Sequence, residues 1–300
     1  MRYICAMLFM ICCISGMRVN AQEDKIYYVR QDGTGDFTSI QDGVNQVEDG
    51  AVLIITPGVY NESVTVTDKT IRLIGTNREK CIIMASAENY HNIPLTIGAG
   101  MVSNLTIYGR NLSGEYIQPV SLNENTAYEW QDTFPGYAIH IDQDYSYGRE
   151  LIIDNCKVIS DSNQCIGIGC RGKSTIQISN SELIANGQGG CIYLHNNSNP
   201  ELDGDAQFIM KNCRLTNYKC PYIMALHSMG KSNPLYLTFE NVMASTVAYE
   251  DMTCYNTWNE NTWFDVRALQ SYAVKQYLQE NGYEPIWFSD LAHIEDYEKP

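Results

Sequence analysis

Three titratable residues occur at the same place in short segments where apolar residues alternate with others. Asp142, His195 and His227 each close such a segment or follow it directly. If the segments are neighbouring strands, the three side chains form one column on the outward face of a sheet. A carboxylate beside two imidazoles can transfer protons, and the same groups can bind a metal ion. We predict these three as catalytic residues; the alternative is an ordinary solvated strand face.

These segments belong to an internal repeat. A tetrapeptide that begins with Asn recurs five times, at spacings of 51, 25, 32 and 29 residues. Alternating apolar runs precede most of these asparagines, and a second run follows three of them, which indicates strands. A unit of about 25 residues with several short strands has the size of one coil of a parallel β-helix. The five asparagines are Asn104, Asn155, Asn180, Asn212 and Asn241.

The repeated asparagine has a structural explanation in such a fold. Stacked coils place the same turn position at intervals of ~4.8 Å. Asn tolerates the left-handed backbone of a tight turn, and its amide can hydrogen-bond along the stack. We therefore predict that the five side chains form a ladder along one turn. The spacing of 51 residues predicts one coil plus an insertion at about 110–135, which leaves the solenoid as a loop beside the face that bears Asp142.

Composition limits the class of protein. The chain has 300 residues, of which 44% are hydrophobic, so it can bury a large core. Its net charge of −15 argues against a general nucleic-acid binder, because phosphate binding needs a basic surface. We therefore predict no nucleic-acid partner.

The first 21 residues predict a secretory signal peptide. Arg2 precedes an apolar run, and the small residues Val19 and Ala21 predict cleavage after Ala21. The run is shorter than the ~20 residues that span a bilayer, so an N-terminal membrane anchor is the less favoured alternative. We expect a secreted or periplasmic protein with no membrane insertion.

The remaining chain is predicted to divide into two parts. Residues 22–245 carry the repeats and are predicted to form the β-helix domain. Residues 246–300 lack them and are predicted as an extension that packs on the β-helix or caps it. Within this extension, Val266–Glu280 has the pattern of an amphipathic helix that ends at Asn281 and Gly282.

Three N-terminal segments resemble the opening of the pectin methylesterases. They are Asp32–Val44, Ile54–Glu62 and Ile71–Gly75. In that family these segments form a capping helix and the first coils of a right-handed β-helix, and the opening motif also occurs in pectate-lyase-like proteins. The predicted fold class is therefore all-β: a single-stranded right-handed parallel β-helix with an N-terminal capping helix and a C-terminal helical extension.

The resemblance also implies a catalytic site that this chain does not keep. Esterases of the family use two aspartates on adjacent coils, one as nucleophile and one as acid and base. Aligning the coils retains Gln164 but places Cys165 and Cys191 at the two aspartates. The two cysteines are then predicted to be outward-facing neighbours. An alternative catalytic segment is Gln131 and Asp132, which begin a Gln-Asp-Thr-Phe tetrapeptide inside the insertion.

The same alignment predicts where a sugar would bind. A second outward column contains His140, Gly167 and Tyr193, and Gly167 with its neighbour Gly169 leaves a flat patch. Tyr193 and Trp130 offer rings on which a sugar can stack. His140 shares the column, and Arg171 belongs to a small basic cluster. The predicted substrate-binding residues are Trp130, Tyr193, His140 and Arg171.

These observations give one leading hypothesis and two alternatives. The leading one is an exported pectinesterase-like β-helix that acts on plant-type or other polysaccharide, without ordinary pectin methylesterase activity. A non-catalytic glycan-binding β-helix is one alternative. A lyase or hydrolase that uses Asp142, His195 and His227 is the other. We predict no cofactor and no metal site, except that a lyase would need Ca²⁺, which Asp142 and Asp144 could hold.

Overall fold

The computed structural model of the protein describes part of the chain. The described residues are 25–84, 93–109, 137–161, 164–170, 172–187, 190–196, 204–218, 223–227, 235–246, 252–257, 262–270 and 285–287. Within them, no helix has the length and apolar character needed to cross a membrane. The predicted signal peptide at 1–21 and the predicted insertion at 110–135 lie outside the described residues.

Short strands dominate, and two helices accompany them. The first half contains β1 (Ile26–Val29), α1 (Ile40–Gln46), β2 (Val52–Ile55), β3 (Gly58–Asn61), β4 (Val64–Val66), β5 (Ile71–Gly75), β6 (Cys81–Met84), β7 (Leu95–Ile97), β8 (Gly100–Ser103), β9 (Thr106–Gly109), β10 (Ile139–Ile141) and α2 (Gln143–Ser146). The second half contains β11 (Glu150–Asp154), β12 (Lys157–Ser160), β13 (Ile166–Cys170), β14 (Thr175–Ser179), β15 (Glu182–Ala185), β16 (Ile192–Asn196), β17 (Ala206–Lys211), β18 (Arg214–Asn217), β19 (Met224–His227), β20 (Leu235–Thr246), β21 (Met252–Thr257), β22 (Thr262–Gln270) and β23 (Pro285–Trp287).

The strands form two sheets that run along the stack of coils. Over the described residues, sheet A has 15 strands and sheet B has eight. A typical coil gives two strands to sheet A and one to sheet B, as β11, β12 and β13 do. From β2 to β19, the strands pair in parallel with their equivalents in the next coil, for example β11 with β14 and β13 with β16, whereas β23 pairs antiparallel with β21. The predicted parallel β-helix is confirmed.

Every second side chain along the strands of sheet B points into the interior of the β-helix and fills it. The two inward columns of sheet B are aligned by the pairing of β10 with β13 and of β13 with β16. Their side chains are almost fully buried, and each isoleucine or leucine contributes about 2 kcal/mol by leaving water. The predicted inward positions are therefore confirmed: Ile139, Ile141, Ile166, Ile168, Ile192 and Leu194.

The five repeated asparagines form the predicted ladder, and we call them the Asn ladder. All have left-handed backbone, with φ between 49° and 55°. The Asn155 amide donates to Asn104 Oδ1 at 2.5 Å, and Asn212 and Asn241 donate to the preceding ladder residue at 3.3 and 2.9 Å. Asn180 instead donates to Asp154 Oδ1 at 2.7 Å, so a carboxylate replaces one rung. Backbone requirement and amide bonding both explain the repeat.

Helix α1 begins within the first segment that resembles the pectin methylesterases, and Glu62 at the end of the second segment contacts it. Ser39 caps it, and the Asp42 N–H donates to Ser39 Oγ at 3.2 Å. The Glu62 carboxylate reaches the same helix end and accepts from the backbone N–H groups of Ile40 and Gln41, each at 2.9 Å. A carboxylate there also meets the positive end of the helix dipole. The predicted N-terminal capping helix is confirmed.

The helix predicted in the C-terminal extension is wrong over the residues that the structure describes. Val266–Gln270 lie in β22, which pairs in parallel with β20, and not in the predicted helix Val266–Glu280. The edge of β20 offers backbone partners to this segment, so sheet pairing overrides a weak helical pattern. Parallel pairing also continues past residue 245, where the β-helix domain was predicted to end. Residues 271–280 lie outside the described residues.

Candidate functional site

The strands of sheet B pair in the predicted register. The backbone of His140 pairs with Gly167, and Gly167 pairs with Tyr193. In the neighbouring column, Gly169 pairs with His195, which pairs with His227 on the next strand. The two histidines predicted as catalytic therefore occupy equivalent positions on adjacent coils.

Asp142 begins a helix instead of extending its strand. It follows Ile141, the partner of Ile168, and so adjoins the column of Gly169. Its Oδ1 accepts a hydrogen bond from the Tyr145 N–H at 2.7 Å, which makes it the N-cap of α2. An aspartate at this position supplies an acceptor to the otherwise unpaired N–H groups of a first helical turn. The structure thus gives Asp142 a local role beside the predicted catalytic one.

An aromatic stack covers the middle of sheet B. The Tyr137 ring lies nearly parallel to the His140 ring, with 6.0 Å between centroids, and to the Tyr193 ring, with 6.5 Å between centroids. We call these three residues the aromatic stack. Tyr137 packs so closely over Gly167 that a Cβ at this glycine would overlap the tyrosine ring. The predicted flat patch for a sugar is therefore wrong, because Tyr137 fills the space that the missing side chain leaves.

The aromatic stack limits the exposure of Tyr193 and His140, the two of its members that were predicted to bind substrate. Tyr193 keeps only 7% of its surface exposed, whereas Tyr137 and His140 are both half-buried. Burial lowers the pKa of His140, and the negative charge of Asp142 partly opposes that effect. A His with lowered pKa is a neutral imidazole at neutral pH, which can accept or donate a hydrogen bond but carries no charge.

Cys165 and Cys191 lie in the core, which corrects the prediction that they face outward. They are stacked on neighbouring coils, since the Ile166 N–H donates to the Cys191 carbonyl at 3.0 Å. Both are fully buried, because each stands in the corner before its strand begins, where strand alternation does not apply. Burial raises the pKa of the Cys165 thiol well above its usual range, and the adjacent Cys191 thiol raises it further.

Other predicted residues contribute less, or lie elsewhere. Gln164 is half-buried and directly precedes Cys165 at the start of sheet B. Asp142 and Asp144 sit at the cap and first turn of α2, which explains two acids there without a metal ion. No group of three potential metal ligands occurs in the part of the chain that the structure describes. Four predicted residues lie outside that part: Trp130, Gln131, Asp132 and Arg171.

Sequence reasoning missed Tyr137 as a member of this face. It stands two residues before β10, so the alternation of the strand gave it no outward position. The signal that could have identified it is the glycine in the neighbouring coil. A glycine inside a strand often marks a close approach by another group, and here that group is the tyrosine ring.

Comparison with known proteins gives one sequence match and several structural ones. No protein-family model matches the chain. Over 133 residues it is 30% identical to a probable pectinesterase/pectinesterase inhibitor 23 of Arabidopsis thaliana, covering 42% of this chain but only 22% of that protein. The chain thus spans about a fifth of the length of this curated relative. The resemblance to pectin methylesterases inferred from the N-terminal segments is confirmed.

Solved structures of pectin methylesterases are also similar. Pectin methylesterase PemA from Erwinia chrysanthemi is 16% identical and has a TM-score of 0.45, with 74% of this chain and 65% of that chain covered. A pectin methylesterase in complex with a hexasaccharide is 16% identical and has a TM-score of 0.42, with 73% and 65% covered.

Proposed function

We propose that the protein is an exported β-helix of the pectin-degrading type, which recognises polysaccharide along sheet B and lacks ordinary pectin methylesterase activity. The burial of Cys165 and Cys191 is the observation that supports the lack of pectin methylesterase activity. An ester hydrolysis of the family type needs a carboxylate nucleophile beside a carboxylic acid. Two buried thiols, one with a raised pKa, supply neither group.

Charge supports a particular kind of polysaccharide. The chain carries a net charge of −15, so a polyanion such as unesterified polygalacturonate is repelled during encounter. A neutral or methyl-esterified glycan meets no such barrier. The half-buried Tyr137 ring and the neutral His140 offer stacking and hydrogen bonding to an uncharged sugar. Trp130 and Arg171 remain proposed substrate contacts.

A second candidate function is cleavage of the glycan at the column of Asp142, His195 and His227. The observation that favours it is the pairing of His195 with His227 on adjacent strands, beside the strand that Asp142 follows. Paired histidines and a carboxylate suit proton abstraction and return in a lyase or hydrolase. Ca²⁺ is the cofactor that we propose for the lyase version.

A polysaccharide panel tests these proposals together. Polygalacturonate, methyl-esterified pectin and neutral galactan are each assayed for binding, methanol release and products that absorb in the near ultraviolet. We expect binding without methanol release. Unsaturated products that disappear in His195→Gln and His227→Gln, and on addition of EDTA, would establish the lyase. Methanol release abolished by Asp132→Ala would show instead that the tetrapeptide in the insertion is catalytic and that the coil alignment is wrong.

Export has its own test. The N-terminal sequence of the mature protein is expected to begin at Gln22, after cleavage that follows Ala21. The same experiment separates the mature protein in the medium or periplasm from a chain that keeps its apolar N-terminus and sediments with membranes. Recovery of the uncleaved chain in the membrane fraction would show that the N-terminal segment is a membrane anchor and not a cleaved signal peptide.

A further inference from the structure

Four polar and aromatic residues lie at or next to a corner that the proposed function does not use. The corner joins sheet A to sheet B, and three backbone positions there stack on consecutive coils. The N–H of Asp161 donates to Gly109 O at 2.9 Å, that of Asn186 to Ser160 O at 2.7 Å, and that of Tyr218 to Ala185 O at 2.9 Å. We call the group the corner column, and its members are Tyr108, Asp161, Asn186 and Tyr218.

Side-chain bonds fix the carboxylate of this column. Tyr108 Oη donates to Asp161 Oδ2, and Asn186 Nδ2 donates to Asp161 Oδ1 at 3.1 Å. All three residues are half-buried, so the group is held against the surface yet remains open to water. A carboxylate has about four acceptor positions, and two donors leave room for hydroxyl groups of a ligand. Asp161 is therefore a preorganised acceptor.

Tyr218 adds an exposed aromatic ring to the same column. Its side chain is 56% exposed, the highest value among the large apolar and aromatic residues that are exposed in the described part of the chain. Its backbone lies beside that of Asn186, which is one coil from Asp161, so Tyr218 stands two coils from the carboxylate. An exposed ring in the same column as a fixed carboxylate and an amide provides a stacking surface next to directed hydrogen bonds along the coils.

We propose that the corner column is a second glycan-binding site, which takes neighbouring neutral sugar units of one glycan chain. The ring hydroxyls of one unit donate to Asp161 and bond to the Asn186 amide, and Tyr218 stacks on the C–H face of a neighbouring unit. Asp161 and the net charge of −15 disfavour a uronate here. This inference rests on the proposed function, because it assigns a place and a sugar class to polysaccharide binding.

The site is separate from the aromatic stack. Asp161 directly follows strand β12 of sheet A, whereas His140 and Tyr193 lie in strands of sheet B and Tyr137 lies just before one. No residue is shared between the two groups. A glycan chain that follows the coils can therefore contact one group or both, and variants can address each group alone.

Binding of galactan oligosaccharide by the full mature chain tests the corner column. Tyr218→Ala should raise the dissociation constant about tenfold, because a stacked ring is lost. Asp161→Asn keeps the shape but removes the charged acceptor and should weaken binding by a similar factor. Tyr28→Ala is the matched control, since Tyr28 is 42% exposed on β1 and should leave binding unchanged. Equal thermal unfolding of Tyr218→Ala and the unmodified protein excludes a folding defect.

The outcomes separate this inference from the proposed function. Galactan binding that survives both corner substitutions overturns the corner column and leaves polysaccharide recognition by sheet B standing. Binding of polygalacturonate but not of galactan overturns the assignment to a neutral sugar. A protein that binds no polysaccharide of the panel and releases no product overturns both proposals.

Discussion

The Asn ladder and the outward face of sheet B are built on the same coils but follow opposite rules. In the ladder, each coil brings the same residue with nearly the same left-handed φ. On sheet B, one column begins with Thr65 and Thr96 and then changes residue on each of the next three coils, to His140, Gly167 and Tyr193. Stacking requires the repeated turn but places no such demand on the outward face. Repetition in this molecule therefore identifies structure, and the places where it ends identify candidates for function.

The largest effect is expected at Gly75, next to the ladder. A Cβ at this position would overlap the backbone carbonyl oxygen of Asn104, and a backbone atom cannot move without disturbing the coil. Gly75→Ala should lower the free energy of unfolding by about 3 kcal/mol, measured by chemical denaturation. The control is Gly148→Asn, where φ is +65° and no heavy atom lies within 4 Å of an added Cβ. Equal stability of the two variants would contradict the packing around the ladder.

Asn212 separates the two contributions to the ladder. It donates to Asn180 and accepts from Asn241, and its φ of 52° suits Asn or Gly. Asn212→Ala should cost about 2 kcal/mol of unfolding free energy, because bonds are lost and the backbone is strained. Asn212→Gly keeps the backbone conformation and should cost about 1 kcal/mol. If both variants lose the same amount, the left-handed backbone is not part of the reason for the repeat.

Gly167 and Tyr137 test the aromatic stack. Gly167→Ala displaces a side chain instead of backbone, so we expect a smaller loss of about 1 kcal/mol in the unfolding free energy. In Tyr137→Ala the clash is already removed, and adding Gly167→Ala should then cost almost nothing. The coupling between the two substitutions is read from a double-mutant cycle. Additive losses would mean that the ring does not occupy the space above Gly167.

The smallest expected effect is a pH dependence from His140. Burial lowers its pKa in the folded protein below the ordinary value of 6.5, so the unfolded chain binds a proton more readily. His140 therefore does not reduce the free energy of unfolding above pH 6.5. That free energy falls as the pH drops through 6.5 towards the lowered pKa. Unfolding measured between pH 7 and 5 should be less pH-dependent in His140→Gln than in the unmodified chain. A matching slope in both proteins would mean that His140 titrates normally.

The sequence predicted the regular parts of the molecule because they obey periodicity. Alternation placed Ile139, Ile166 and Ile192 in the core, and the repeated asparagines located the turn. Periodicity ends at the corners, and the errors lie there. Cys165 and Cys191 were extrapolated as strand residues although the chain is still turning.

Long-range contacts explain the remaining differences. The space above Gly167 is filled by Tyr137 from the previous coil, and Asp161 receives its hydrogen bonds from residues 53 and 25 positions away. A pattern along one strand contains no information about such partners. The segment Val266–Gln270 was misjudged for a similar reason, because the open edge of β20 decides its conformation.

The cap formed by α1 and Glu62 has a consequence for the behaviour of the protein in concentrated solution. A stack of parallel coils presents unpaired backbone groups at its end and can act as a template for a second chain. Helix α1 packs against β1, β2 and β4 and buries Ile40 and Val44 over the first coil. Glu62, which belongs to that coil, holds the helix in place. The cap thus covers apolar surface of the first coil, and we expect a change that loosens the helix to expose that surface to end-to-end association with a second chain.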